Sequence, residues 1–232
     1  MMPGIILLSG GLDSTVALAL HLEKNVVDLA LTFDYGQRAN QREISAARSI
    51  AEHYHIPHKV VPLPFLQEQT FSALVNRSEG LPLMELSDLD DLDGQAQKSA
   101  RQVWVPNRNG LFLNIAAVYA ENMGDGAVLI TGFNSEEAAT FPDNSLEFMA
   151  AMNICFTFST QNQVTIVSET SIYSKKEIVR EGLRLHVPFE HIWSCYESEE
   201  RVCGQCESCL RLKRALLANG AQGLVTQLFG FQ

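Results

Sequence analysis

The sequence predicts an α/β fold: a doubly wound, mainly parallel sheet of about five strands, followed by a C-terminal helical segment that binds a metal. Three observations predict it. Short apolar runs alternate with helical patterns from the N-terminus to about residue 186. A glycine turn, Ser9-Gly10-Gly11-Leu12-Asp13-Ser14, joins the first apolar run to the first helix. Four of the five cysteines crowd between residues 195 and 209.

Gly4–Leu8 is a short apolar run and reads as the first strand. Asp13–Glu23 has helical character, and Val26–Phe33 reads as a second, buried strand. Gln41–Tyr54 sets Ile44, Ala47, Ile50 and Ala51 at helical spacing. His58–Val61 is a third strand, entered through Pro57. This β-α-β-α-β order implies parallel strands with helices on both faces, and ligands of such sheets bind beyond the carboxyl ends of the strands. The rhythm breaks over residues 62–100, with Pro62, Pro64, Pro82 and the acidic run Asp88-Leu89-Asp90-Asp91-Leu92-Asp93. Residues of about 78–100 read as a mobile loop, with the acidic run as solvated chain. Asn107 or Arg108 then opens a helix to about Asn122, and Ala127–Gly132 is the fourth strand. Ser145–Ser159 reads as helix and Val164–Val167 as the fifth strand. Ser174 caps a helix to His186, with Glu177 completing a capping box. A last helix covers about Glu207–Ala218, and Cys155, in an apolar stretch, reads as a core residue. The organisation read from this is an α/β domain over 1–186 and a C-terminal metal-binding helical segment over 187–232.

A chain of 232 residues is long enough for one large core. Its net charge of −10 argues against a polynucleotide partner, because gripping a phosphate backbone takes a field of Lys and Arg. A small-molecule substrate fits better. No apolar run approaches the roughly 18 residues of a membrane span. Met1-Met2-Pro3-Gly4 lacks the basic start of a signal peptide, so the expected location is the cytoplasm. A homodimer is the expected assembly for a chain of this size.

A strand, a glycine turn and a helix N-terminus build an anion site from backbone N–H groups. Gly10 and Gly11 allow a phosphate to approach the main chain, Ser9 and Ser14 add hydroxyls, and Asp13 can hold a magnesium ion that bridges phosphates. The pattern is not the Walker loop, which ends in Gly-Lys-Ser/Thr. Asp34-Tyr35-Gly36-Gln37-Arg38 falls at the carboxyl edge of the second strand and Thr131-Gly132 at that of the fourth, so both can face a ligand. Arg108 and the free N–H groups of its helix start favour an anion. Lys175 sits at a helix start against the helix dipole, which suggests a phosphate partner. Cys203, Cys206 and Cys209 form a Cys-x-x-Cys-x-x-Cys run, and Cys195 supplies a fourth thiolate. Four thiolates with no open position favour zinc in a structural role, with an iron–sulfur cluster as the rival centre.

The hexapeptide Ser9–Ser14 resembles the SGGxDS signature of the N-type ATP pyrophosphatases, the PP-loop enzymes. Leu8–Leu18, Thr32–Arg38, Val105–Leu113, Lys175–Gly182 and Trp193–Arg211 together resemble the QueC family of 7-cyano-7-deazaguanine synthases. That resemblance implies an adenine-nucleotide alpha-hydrolase-like fold. It implies that ATP activates the carboxylate of 7-carboxy-7-deazaguanine, that ammonia gives an amide, and that a second activation yields the nitrile. It implies ATP binding by Leu8, Ser9, Gly10, Gly11, Leu12, Asp13, Ser14, Thr15, Val16, Ala17 and Leu18. Catalytic roles fall to Asp13, Lys175 and Arg108, the latter two neutralising developing charge. Substrate contacts fall to Tyr35, Gln37, Arg38, Thr131 and Asp143. One structural zinc per subunit falls to Cys195, Cys203, Cys206 and Cys209. The family usually carries something like DYSGYPDCRPEF where this chain has residues 137–148. Here Ala138 replaces a tyrosine, and Asn144 and Ser145 replace a cysteine and an arginine. The departure leaves open an alternative acceptor: a related deazapurine, another carboxylate or a protein terminus.

Overall fold

Five strands form one sheet: β1 (Gly4–Leu7), β2 (Leu29–Asp34), β3 (His58–Pro62), β4 (Ala127–Ile130) and β5 (Val164–Val167). They stand in the order β3-β2-β1-β4-β5, and every neighbouring pair is parallel. The computed structural model describes residues 2–91, 94–124, 126–197 and 199–230. The chain winds outward from β1 to β3, then returns and winds the other way through β4 and β5. The reversal puts a topological switch point between β1 and β4, where ligands of such sheets bind.

Helices cover both faces because the central strands β1, β2 and β4 are buried on both sides. Ile5, Leu31 and Leu129 pack on one face against Leu113 and Ala117 of α5 (Arg108–Ala120) and Phe156 of α7 (Leu146–Ser159). Ile6, Ala30 and Ile130 pack on the other. Their partners are Val16 of α1 (Leu12–Leu22), Ile50 of α2 (Asn40–His53), Ile178 of α8 (Lys175–Arg184) and Leu216 of α9 (Glu207–Ala218). Burying that surface stabilises the sheet at roughly 25 cal/mol per Å² of apolar area.

The sheet's order and direction match the sequence prediction, with differences at particular elements. The second strand begins at Leu29 rather than Val26, because its ladder starts where Ile5 pairs with Leu29. Within residues 62–103 the structure has two helices, α3 (Pro64–Gln69) and α4 (Gln95–Val103), and a 3₁₀ turn at Leu86–Asp90. Leu89, Ala96 and Val103 are buried there. Leu92 and Asp93 of the acidic run lie outside the described residues. Two further helices are α6 (Ser135–Ala138) and α10 (Gln222–Phe229). Cys155, expected in the core, is exposed, because it falls on the outer face of α7 between Ile154 and Phe158.

Candidate active site and cysteine cluster

The phosphate-type loop leaves β1 at the switch point. Gly10 takes φ +80°, and a Cβ there would stand 2.7 Å from the Glu43 carbonyl oxygen. Gly132, just beyond β4, is still tighter: its Cβ would stand 2.5 Å from the Ser14 nitrogen. Glycine at position 10 lets the loop pack against α2, and glycine at position 132 lets the α1 N-terminus sit against the end of β4. Ser9 N–H donates to Ser14 Oγ at 3.3 Å, and Gly11 N–H donates to Ser9 Oγ at 3.3 Å. The Thr15 hydroxyl donates to the Gly11 carbonyl at 2.7 Å. The loop is held from the far end of the chain as well, because Trp193 N–H donates to the Gly10 carbonyl at 2.9 Å.

Above this loop the ammonium of Lys175 is 2.5 Å from Asp13 Oδ2 and 2.9 Å from Glu137 Oε1. Lys175 is the first residue of α8, whose N-cap Ser174 and Glu177 form the expected capping box. Its side chain is 9% exposed. Burial alone would depress the ammonium, but the two carboxylates outweigh it and hold it protonated. Burial pushes Asp13 up to about 7 against the pull of Lys175. Burial also opposes the charge on Glu137, yet Lys175 overcomes it and holds that carboxyl at about 2. Two carboxylates that share one ammonium are driven apart in this way. Asp13 Oδ1 is buried with no hydrogen-bond partner, so it is placed to take a cation.

These groups face a pocket of about 270 Å³, near the lower end of the roughly 300–1,000 Å³ usual for small-molecule sites. Of the residues expected on it, Leu8, Ser9, Gly11, Leu12, Asp13, Ser14, Tyr35, Arg108, Thr131 and Lys175 line it. Arg108 Nη1 donates to the Tyr35 hydroxyl at 3.1 Å and its guanidinium lies 5.8 Å over that ring. Burial pushes the Tyr35 hydroxyl up despite Arg108. Thr15, Val16, Ala17 and Leu18 are buried along α1, Gly10 packs against α2, and none of the five lines the pocket. Gln37 braces its own turn: its Oε1 accepts from Tyr35 N–H at 2.9 Å and its Nε2 donates to Glu43 at 2.8 Å. Arg38 turns toward Ala73, Asn76, Glu79 and Glu197 instead of the pocket. Asp143 stands behind Asn144, which is buried and lines it. Ser145, where the family usually has arginine, caps α7 by accepting from Phe148 N–H at 3.1 Å.

Sequence reasoning did not single out Glu137, Glu43 or Asn144 as pocket groups. Glu137 lies on α6, beyond the end of β4, and the available signal for it was its place in the 137–148 segment that is compared with the family.

The sulfurs of Cys195, Cys203, Cys206 and Cys209 lie within 4.8 Å of one another. Among the described residues this is the one group of three or more such side chains able to hold a metal ion. A tetrahedral ion with bonds of about 2.3 Å sets sulfurs about 3.8 Å apart. The Cys203–Cys209 sulfurs are 3.9 Å apart. Gly204 takes φ +72° to turn the chain between ligands. N–H groups of Cys203 and Cys206 point at the sulfurs of Cys195 and Cys203, at 3.3 Å each, and favour thiolates.

The family described as "Queuosine biosynthesis protein QueC" matches residues 4–220. A 7-cyano-7-deazaguanine synthase of Pelotomaculum thermopropionicum is 51% identical over 221 residues, covering 95% of this chain and 99% of its own. One from Desulforamulus reducens is 50% identical over 219 residues, covering 94% and 95%. One from the archaeon Methanosarcina barkeri is 45% identical over 231 residues, covering 99% and 100%. With the family match spanning almost every element described above, the chain belongs to the QueC family of queuosine biosynthesis proteins.

Proposed function

We propose that this chain is an ATP-dependent ligase that makes 7-cyano-7-deazaguanine, the product for which its relatives are named, from 7-carboxy-7-deazaguanine and ammonia. The observation that carries this reading is the Asp13–Lys175–Glu137 cluster over the Ser9–Ser14 loop at the switch point, with the lysine buried and the two carboxylates half-buried. ATP, when bound, converts a poor leaving group on carbon, hydroxide, into a good one, an adenylate. The N–H groups and hydroxyls of Ser9, Gly11 and Ser14 hold its phosphates. Asp13, with its unpartnered Oδ1, would hold a magnesium ion, which would supply positive charge against the phosphates. Lys175 and Arg108 offset the negative charge that develops during transfer. Tyr35 and Thr131 face the acceptor, with Asn144 in the position the sequence assigned to Asp143. Gln37 and Arg38 act behind it, through the turn they brace.

The cysteine cluster holds one zinc ion per subunit in a structural role: the donor set is all thiol and its spacing fits a closed tetrahedron. Residues 1–186 serve as the ATP-binding domain and 187–232 as the zinc-binding segment, acting in the cytoplasm. No helix of the described residues is long and apolar enough to cross a membrane. The subunits pair as a homodimer, a reading supported by the apolar outer face of α7, where Leu146, Ile154 and Phe158 are exposed. Relatives that share one name over their whole length do not favour another carboxylate or a protein terminus as acceptor.

Purified protein with ATP, magnesium, ammonium and 7-carboxy-7-deazaguanine should give the nitrile, together with AMP and pyrophosphate, by mass spectrometry. Absence of the nitrile overturns the reading.

A further inference from the structure

The C-terminal segment lines the pocket with residues of the Trp193–Tyr196 stretch and of α9, and among these is a buried arginine that the phosphate loop does not explain. Arg211, on α9, is buried, with its side chain 5% exposed, and lines the pocket. Its Nε and Nη2 donate to Glu207 Oε1 at 3.0 and 2.9 Å, and its Nη1 donates to Glu136 Oε2 at 3.0 Å. Glu207, one turn earlier, is itself buried, and its other oxygen accepts the Ser99 hydroxyl of α4 at 2.9 Å. Glu136 Oε1 in turn accepts the main-chain N–H of Lys175 at 2.8 Å. The neighbouring Glu137 takes the Lys175 ammonium. Two adjacent glutamates thus grip one lysine by its backbone and by its tip, and Arg211 holds the first of them at 3.0 Å, with the half-exposed Arg214 a longer contact to the same oxygen at 3.5 Å.

A buried guanidinium would be costly unless each of its faces met an acceptor, and this one is paired twice. The arrangement fixes the first turn of α8. It therefore fixes where the ammonium stands between Asp13 and Glu137. Cys206 is the N-cap of α9 and Cys209 lies in its first turn, so the cysteine cluster sets the direction in which Glu207 and Arg211 project.

We propose that Arg211 is a positioning residue for the ligase reaction, acting through Glu136 to place Lys175 over the phosphate loop. This rests on the function proposed above. Displacements of about 1 Å remote from the reacting atoms cost on the order of 10²-fold in rate. Arg211→Met and Glu136→Gln should therefore each lower kcat by about 10²-fold. The double variant should be no slower than the slower single variant, because both break one chain of contacts. Arg211→Lys, which keeps the charge but loses the two-sided fork, should recover only part of the loss. Zinc content and melting temperature are measured alongside, and pyrophosphate binding is measured on each variant as a readout that needs no deazapurine. Wild-type protein that makes no nitrile defeats the proposed function and leaves pyrophosphate affinity to judge Arg211. There, a weakening in both single variants that does not deepen in the double supports the placement of Lys175. Unchanged kcat and pyrophosphate affinity in Arg211→Met, or losses that multiply in the double variant, overturn the inference. Should Arg211→Met fail to fold, Arg211→Lys combined with Glu136→Gln gives the same cycle.

Discussion

Asp13 Oδ2 grips Lys175 and its Oδ1 is buried without a partner, which the proposed function assigns to a cation. Asp13→Ala should therefore lower turnover by at least about 10³-fold, while the cysteine-bound metal stays at its wild-type content. Metal loss in that variant would contradict the separation of the two centres. Gly132 is the matching constraint on the other side of the loop. Gly132→Ala drives a methyl into the Ser14 nitrogen and should cost about 1–3 kcal/mol in urea unfolding, with pyrophosphate binding weakened. Asp13 and Lys175 were legible in the sequence, one from a loop motif and the other as a cation placed against a helix dipole. Glu137 was not, because a carboxylate on a helix as short as α6 has no spacing rule of its own. Gln37 and Arg38 carried the right address but the wrong direction: a strand edge fixes position, while the side chains found backbone partners behind the turn.

Among the elements, α8 shows how a local cap serves the site. Ser174 accepts from Glu177 N–H, and Glu177 returns to the Ser174 N–H. Ser174→Ala should cost about 1 kcal/mol and blunt activity more than that stability loss accounts for, because Lys175 is the next residue. α9 lacks such a cap, since its N-cap is Cys206 and that side chain makes no capping bond, so the proposed cysteine-bound ion would hold its start. Stripping the ion with a chelator should speed amide exchange over residues 195–218, while β1 and β4 stay protected. Equal exchange everywhere would show that the cluster supports the whole fold. Strands and capped helices were legible because period and capping residues are strong local signals. α4 was not: its buried face is Ala96, Ser99, Ala100 and Val103, residues too small or polar to raise an apolar stripe. The outer face of α7 misled in the opposite way. Its apolar residues mark core by composition, yet only Met149 and Phe156 of that helix are buried.

At the scale of the molecule, the apolar face of α7 predicts association. Phe158→Glu should shift sedimentation from dimer to monomer without altering the far-ultraviolet spectrum; a monomeric wild type removes the dimer reading. Acid sensitivity has an identifiable contributor. His58, half-buried at the start of β3, is held below its ordinary value of 6.5 by burial and by Arg48. Its contribution is complete above that value and is lost as pH falls through the depressed folded value. His58→Asn should therefore lose less melting temperature than wild type between pH 7.5 and 5, and an identical slope would refute this. The winding of the sheet was legible because the order of elements dictates it. The junction between the two ends of the chain was not, since no period or motif encodes a contact over that separation. That junction is the bond from Trp193 N–H to the Gly10 carbonyl. During synthesis the loop emerges from the ribosome first and waits for a donor that arrives only with the last stretch of chain. On the proposed function the nucleotide site is thus finished late, and a nascent chain that stops short of Trp193 should bind ATP more weakly than the full chain.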